Sequence, residues 1–311
     1  MIDHRPLGSS GLATPALILG GNVFGWTADR DTSFAVLDAF YEGGGRMIDT
    51  ADVYSAWAPG HKGGESEAVI GAWLASRGVR AEMRIHTKTG MLGGKELYEP
   101  QRVLSSLDAS LDRLRTDYVD LYYAHIDYPD LAIEDIVQAF AGALRTGKVR
   151  ELGASKFGAP RLSGALDAAR AIGATPFTVL QNEYSLVERS HFGADLQDLC
   201  ADNGIAMLPY YSLANGFLTG KYRSEADLRK SVRGPRVAAL LGRGAATLAA
   251  MDGIAAETGA AHAAIALAWL NAQPGIAAPI ASATSVAQVE ELVAGARLTL
   301  SPEQLARLDA A

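Results

Sequence analysis

Asp49, Tyr54, Lys88 and His125 supply an acid, a phenol, an ammonium and an imidazole, each where an apolar, strand-like run ends. Asp49 follows Arg46-Met47-Ile48, with Tyr54 shortly after it. Lys88 follows Met83-Arg84-Ile85-His86-Thr87, and His125 follows Tyr118-Val119-Asp120-Leu121-Tyr122-Tyr123-Ala124. If these runs are neighbouring parallel strands of one barrel, the four side chains meet at one rim. Together they form a proton-delivery set. A carbonyl becoming an alcohol takes up a proton as well as a hydride, and Tyr54 can donate that proton. A free phenol titrates near ~10, and an adjacent ammonium stabilises the phenolate and lowers that value. Lys88 is the expected neighbour, Asp49 its counter-ion, and His125 the group that orients the substrate oxygen. Singly, each has a plainer explanation: Asp49 as a cap, Tyr54 as a rim aromatic, His125 as a hydrogen-bonded core histidine. Lys88 is harder to dismiss, because ammonium groups avoid inward positions unless paired. The four together favour a reactive site over a binding surface.

Positioning them requires a regular framework. Apolar runs near 16–19, 46–48, 83–87, 119–124, 149–153, 178–181, 205–209 and 276–280 predict strands. Amphipathic stretches at 32–41, 65–76, 101–114, 133–145, 160–172, 193–202, 245–259, 261–272 and 286–294 predict helices. In the third of these, Val103, Leu104, Leu107, Leu111 and Leu114 recur at spacings of three and four, with Asp108, Asp112 and Arg113 on the other face. Asp31-Thr32 and Ser285 suit helix N-caps. Strands alternating with helices on short links predict a parallel sheet. No linker or composition break divides the 311 residues. The expected architecture is therefore α/β: a single (β/α)8 TIM barrel forming one domain over 1–311. Leu7-Gly8-Ser9-Ser10-Gly11-Leu12 predicts a β-hairpin that caps the bottom of the barrel. One long irregular segment, 212–244, follows the seventh strand, and on a barrel it emerges at the active rim.

A net charge of −7 and a pI near 5.4 argue against a nucleic-acid partner, which demands clustered Lys and Arg. Cys200 is the one cysteine, so no intramolecular disulfide can form. Its helical spacing from Leu196 and Leu199 marks it as a small buried residue. No metal site is expected. Residues 1–6 lack the apolar core of a signal peptide, and the most apolar helical stretch, 260–272, is too short for a bilayer and contains His262 and Asn271. A soluble, cytoplasmic protein without a membrane partner is expected; its oligomeric state is left open.

Gly44-Gly45-Arg46-Met47-Ile48-Asp49-Thr50-Ala51-Asp52-Val53-Tyr54, then Thr87-Lys88, then His125-Ile126-Asp127, resembles the aldo-keto reductases. The likeness spans essentially the whole chain. It takes in the Leu7–Leu12 turn, Gly64-Glu65-Ser66-Glu67, Gly153-Ala154-Ser155, Gln181-Asn182-Glu183-Tyr184 and Gly216-Phe217-Leu218-Thr219-Gly220-Lys221. It is most similar to the bacterial branch related to the potassium-channel β subunits. The resemblance implies a barrel that binds NADP(H) or NAD(H) in extended form without a Rossmann domain, and no Gly-x-Gly-x-x-Gly run follows the first strand. It implies Tyr54 as general acid-base, tuned by Lys88 and Asp49, with His125 directing the carbonyl. It places Ser155 and Gln181 on the nicotinamide carboxamide and Tyr210 against the nicotinamide ring, with Tyr211 a competitor for that place. Ser212, Leu213, Gly216, Leu218, Gly220 and Lys221 would follow the pyrophosphate, where glycine permits close backbone approach and Lys221 supplies charge.

Three positions depart from the family pattern. Lys156 stands where the family often has Asn. The run Ile280-Ala281-Ser282-Ala283-Thr284-Ser285 lacks the usual basic partner of a 2′-phosphate, and Leu292 replaces an Asn that would touch adenine. Ser282, Thr284 and Gln288 can still hydrogen-bond a phosphate or ribose at a helix N-terminus. Arg223, Arg229, Lys230, Arg233 and Arg236 offer another cation that could close over the adenosine end, although a solvated basic loop explains most of them. NADP(H) is the expected cofactor, with NAD(H) or dual use as the alternative. Phe24, Trp26, Trp57 and Tyr128 are expected to wall an apolar pocket for a small-molecule carbonyl or alcohol with a hydrophobic body. Two other readings stay open: a cofactor-binding redox sensor of the channel β-subunit type, and a Schiff-base aldolase using Lys88.

Overall fold

Short apolar runs can line a barrel only if each side chain that points inward finds others to pack on, and here eight parallel strands do so. The computed structural model describes residues 2–311, so Met1 of the segment read for a leader lies outside it. The strands of the barrel are β3 (Ile18–Gly20), β4 (Met47–Asp49), β5 (Arg84–Thr89), β6 (Val119–Ala124), β7 (Val149–Ser155), β8 (Val179–Gln181), β9 (Ala206–Met207) and β10 (Ile280–Ala281). They are ordered β10-β3-β4-β5-β6-β7-β8-β9. The ring closes through a parallel bridge between Met207 and Ile276, with Ala277 N donating to Met207 O at 3.0 Å and Ile280 N to Pro209 O at 2.9 Å. Met47, Leu121, Tyr123, Val179, Leu208 and Ala278 fill the interior as one cluster, so the barrel is a packed core with its chemistry confined to the rim.

The predicted hairpin is β1 (His4–Pro6) paired with β2 (Ala13–Pro15). Leu7 joins the interior cluster from below, which is how the hairpin caps the barrel. Gly8 is needed there: its φ is 57°, and a Cβ would stand 2.4 Å from Gly204 O.

Around the barrel lie α1 (Arg30–Glu42), α2 (Glu65–Arg77), α3 (Pro100–Leu114), α4 (Ile133–Arg145), α5 (Ala159–Ala171) and α6 (Ala194–Asp202). They are followed by α7 (Gly234–Val237), α8 (Leu240–Arg243), α9 (Ala245–Thr258), α10 (His262–Ala272), α11 (Val286–Arg297) and α12 (Pro302–Asp309). The expected helices match within a few residues, with three differences. The cap of α1 is Asp29, not Asp31-Thr32: its Oδ1 accepts from Thr32 N at 2.9 Å. The helix α12 was not foreseen, although Ser301 and Gln304 form a capping box at its start. The segment 212–244 is not irregular throughout. It holds three-ten turns at Ala214–Thr219 and Glu225–Lys230 as well as α7 and α8, and buried Phe217, Leu218, Tyr222 and Val237 anchor it. Among the described residues no single helix is long and apolar enough to cross a membrane.

The helices α2 and α3 approach so closely that a Cβ on Gly71 would lie 2.2 Å from Arg113 O and 2.6 Å from Leu114 C. Backbone cannot yield as a flexible side chain would. Gly71→Ala is expected to lower stability by roughly 1–3 kcal/mol through overpacking, despite alanine's better helix propensity. Urea unfolding followed by circular dichroism checks this, and an unchanged or raised midpoint contradicts it.

Candidate active site

Asp49 ends β4 and Lys88 is the penultimate residue of β5, so both lie within strands rather than after them. Register pairs Asp49 with His86 and Lys88 with Tyr123, and these side chains face the barrel mouth and interior. Tyr54 comes from the turn after β4. Ser55, in the left-handed region at φ 74°, donates its hydroxyl to Phe24 O at 2.9 Å and pins that turn. Lys88 Nζ then donates to Asp49 Oδ2 at 2.6 Å, to Thr50 O at 2.8 Å and to the Tyr54 oxygen at 3.0 Å. All three ammonium protons are used. The Tyr54 hydroxyl lies 3.1 Å from Asp49 Oδ2, and Gln181 Nε2 donates to Asp49 Oδ1 at 2.8 Å. His125 follows β6, with its ring edge-on to Tyr54 at 6.1 Å between centroids. Its Nδ1 is buried without a partner among the described residues.

A second layer holds this set in place. Glu67 accepts from the hydroxyl of Thr87, the residue before Lys88, at 2.5 Å and from Arg113 Nε at 2.7 Å. Asp52 accepts from Thr89 Oγ1 at 2.7 Å, and burial pushes its carboxyl up to about 7. Burial drives the Lys88 ammonium down, and Asp49 opposes that. Burial, then the charges of Lys156 and Lys88, hold His125 well below the usual histidine value, so its imidazole is neutral. The Tyr54 phenol runs opposite to the expectation from sequence. Removal from water and the negative charge of Asp49 push it well above the ordinary value. Lys88 supplies a hydrogen bond to the phenol oxygen, but in this structure the desolvation and the carboxylate prevail.

A cleft of about 600 Å³ runs from Tyr54 and His125, past Gln181 and Tyr210, to Thr284 and Gln288 at the start of α11. Ser212, Leu213, Gly216, Lys221 and Ser282 border it. Ser282 Oγ donates to Asn22 Oδ1 at 2.6 Å, while Thr284 N donates to Gln288 Oε1 at 2.8 Å. Ser155 is buried beside the cleft, and its Oγ has no partner among the described residues. Tyr210 is half-buried, with the more exposed Tyr211 packed edge-on at 5.1 Å. Three expected cofactor residues do not border the cleft: Ser155 is buried at the end of β7, Leu218 is fully buried in the core, and Gly220 is a left-handed cap beside Arg223 and His262.

Of the four expected pocket walls, Trp57 alone borders the cleft. Trp26 stands behind it, edge-on at 5.6 Å. Phe24 is fully buried in the core. Tyr128 donates its hydroxyl to Gly90 O at 2.6 Å and packs on Tyr98, holding a loop. Sequence reasoning passed over Asn22 and Met91, which also border the cleft. It grouped Arg233 with four other cations that differ from it. Arg223 is tied to Asp252 and Lys230 to Asp227, each at 2.6 Å, while Arg229 and Arg236 do not border the cleft. Arg233 does, with its Cζ 5.7 Å from the Trp26 ring centroid and a buried Nη2 that has no partner among the described residues. No spacing rule would have separated it from its neighbours.

Left-handed backbone gathers here as well: Ser55, Lys156, Tyr211, Ala214 and Asn215 all have positive φ. Such strain persists only where surrounding structure enforces it, and it clusters at functional sites.

The aldo/keto reductase family profile matches residues 16–311. The norsolorinic acid reductase of Aspergillus flavus is 31% identical over 328 residues, covering 98% of this chain and 80% of that protein. The uncharacterized oxidoreductase YrpG of Bacillus subtilis is 31% identical, covering 99% of this chain and 95% of that protein. The aryl-alcohol dehydrogenase [NADP(+)] of Phanerodontia chrysosporium is 30% identical, covering 90% of this chain and 75% of that protein.

Proposed function

This chain belongs to the aldo/keto reductase family, and we propose that it reduces an aldehyde or ketone to an alcohol, or runs the reverse, with Tyr54 as general acid-base. The observation that carries this reading is a phenol oxygen 3.0 Å from a buried ammonium and 3.1 Å from its carboxylate, at one end of an extended cleft. The nicotinamide cofactor supplies or accepts the hydride when bound. As the Tyr54 proton leaves for a substrate oxygen, the negative charge that develops on the phenol meets a Lys88 N–H already pointed at it. Asp49 keeps Lys88 charged, and Gln181 steadies the other carboxylate oxygen. A neutral His125 can donate a ring N–H to the substrate oxygen without competing for the Tyr54 proton.

The residues along the cleft suit an extended dinucleotide. The Ser155 Oγ, without a partner among the described residues, and the side-chain amide of Gln181 suit a carboxamide, and Tyr210 offers a ring face. Ser212, Leu213, Gly216 and Lys221 suit the diphosphate, and Ser282, Thr284 and Gln288 the adenosine end. Arg233 leans on Trp26, whose partner Trp57 packs on Tyr54 at 6.1 Å, which argues against the adenosine end. We therefore assign it to the diphosphate. NADP(H) is the proposed cofactor, in keeping with the NADP-linked aryl-alcohol dehydrogenase among the relatives, and NAD(H) is usable as well, since no cation from β10 or the start of α11 awaits a 2′-phosphate. Arg233→Ala is expected to weaken NADPH and NADH by similar factors of about tenfold, roughly 1.4 kcal/mol. Fluorescence titration of both cofactors checks this, and a loss confined to NADPH would move Arg233 to the 2′-phosphate.

A Schiff-base role for Lys88 fits poorly, because an ammonium with all three protons donated has no lone pair to attack with. The direct test of the proposal is loss of reduced-nicotinamide absorbance with NADPH and a panel of aromatic and aliphatic aldehydes. Tight cofactor binding with no turnover of any member would favour a redox sensor instead.

A further inference from the structure

Lys156 borders the cleft between Tyr210 and His125. It follows β7 with φ 61°, a left-handed conformation that a residue with a Cβ adopts only under constraint. The constraint is visible. Lys156 N lies 3.2 Å from Gln181 O and donates to Asn182 Oδ1 at 2.8 Å. Asn182 is itself buried and donates to Phe157 O at 2.9 Å and His191 O at 3.1 Å. Held this way, the side chain leans toward the loops after β5 and β6. Its Nζ lies 3.4 Å from His125 O, 3.6 Å from Met91 Sδ and 5.2 Å from the Tyr210 ring centroid. None of these is an acid. Lys88 and Asp49 satisfy each other nearby, Glu183 pairs with Tyr210 through the backbone, and Lys221 and Arg233 are further cations bordering the same cleft. Among the described residues Lys156 forms no ion pair, and a partly desolvated ammonium offered a carbonyl, a thioether and a ring face lacks its best partner.

The same cleft is bordered by Trp57, Met91 and Tyr211, large apolar or aromatic side chains that stay exposed. A flat body can lie against them with its carbonyl at Tyr54 and His125, and an ionised substituent elsewhere on it can reach Lys156, whose Nζ lies 3.4 Å from His125 O. We propose that Lys156 is an anion-recognising subsite, so that the preferred substrates are aromatic carbonyl compounds bearing a carboxylate or another ionised oxygen away from the reacting carbon. This rests on the carbonyl-reductase reading of the site. Burial and the charge of Lys88 lower the Lys156 ammonium to about 8, so the preference is present below that pH and fades above it. Of the groups around it, Lys88 opposes its charge, whereas Asp49 and Glu183 favour it.

The test compares kcat/KM for 4-carboxybenzaldehyde and for its neutral methyl ester, at saturating NADPH, in the wild type, Lys156→Met and Lys156→Arg. The wild type should prefer the carboxylate. Lys156→Met should reduce the carboxylate-to-ester ratio by about tenfold or more, chiefly through the KM of the carboxylate, as loss of a charge-assisted contact predicts. Lys156→Arg should keep the ratio and extend it above pH 8, because a guanidinium does not titrate there. An unchanged ratio in Lys156→Met overturns the inference. So does an equal fall for both substrates with weakened NADPH binding, which would make Lys156 a cofactor ligand. Absence of turnover with both aldehydes is a distinct result: it overturns the reductase reading, and this inference with it.

Discussion

Tyr54→Phe should lower kcat for carbonyl reduction by about 10²–10⁴-fold, the range for removing a positioned general acid, while leaving cofactor affinity nearly intact. The separation is expected because the phenol oxygen makes its contacts with Lys88 and Asp49, at one end of the cleft. The ring still packs on Trp57 and His125, so phenylalanine preserves the shape. Steady-state kinetics with a single aldehyde, beside a fluorescence titration of NADPH, separates the two effects. Turnover within a few-fold of the wild type would mean that another group delivers the proton.

Lys88→Met should cost both activity and stability. Its ammonium is fully buried, and its three donors satisfy Asp49, Thr50 O and Tyr54. Methionine fills much of the volume but leaves Asp49 a buried carboxylate supported by Gln181 and the phenol alone. Breaking a buried pair from one side costs about 3–5 kcal/mol. The phenol, already raised by burial and Asp49, loses the one cation that stabilises its ionised form. Reduction should fall at least about a hundredfold, and alcohol oxidation, which needs Tyr54 to accept a proton, should demand higher pH than in the wild type. Urea unfolding and a pH–rate profile measure the two consequences. A stable variant whose oxidation profile coincides with the wild type would refute the coupling of Lys88 to Tyr54.

Much of this was legible in the residues themselves. The period of the apolar positions marked the helices, as at Val103, Leu107, Leu111 and Leu114, all buried or nearly so in α3. Strand ends located Asp49, Lys88 and His125, because a parallel barrel strand delivers its last side chains to one rim whatever the rest of the chain does. Turn chemistry located the Leu7–Leu12 hairpin. What escaped was short or depended on distant partners. The helix α12 lies beyond the last expected element, and the turns within 212–244 are held by single buried residues rather than by a repeating face.

The sequence by itself determined the architecture and which four polar groups meet at the rim, since periodicity and chemical type are local properties of the chain. The tertiary structure alone decided which way those groups are biased. It raised the phenol of Tyr54 by burial, against the pairwise effect of Lys88 that the residue types had suggested, and it left the imidazole of His125 neutral, a charge state on which the residue types were silent. It also brought Arg233 and Lys156 to the border of the cleft, where neither forms an ion pair among the described residues. Both outcomes depend on which atoms from distant parts of the chain exclude water, and no local pattern of residues carries that information.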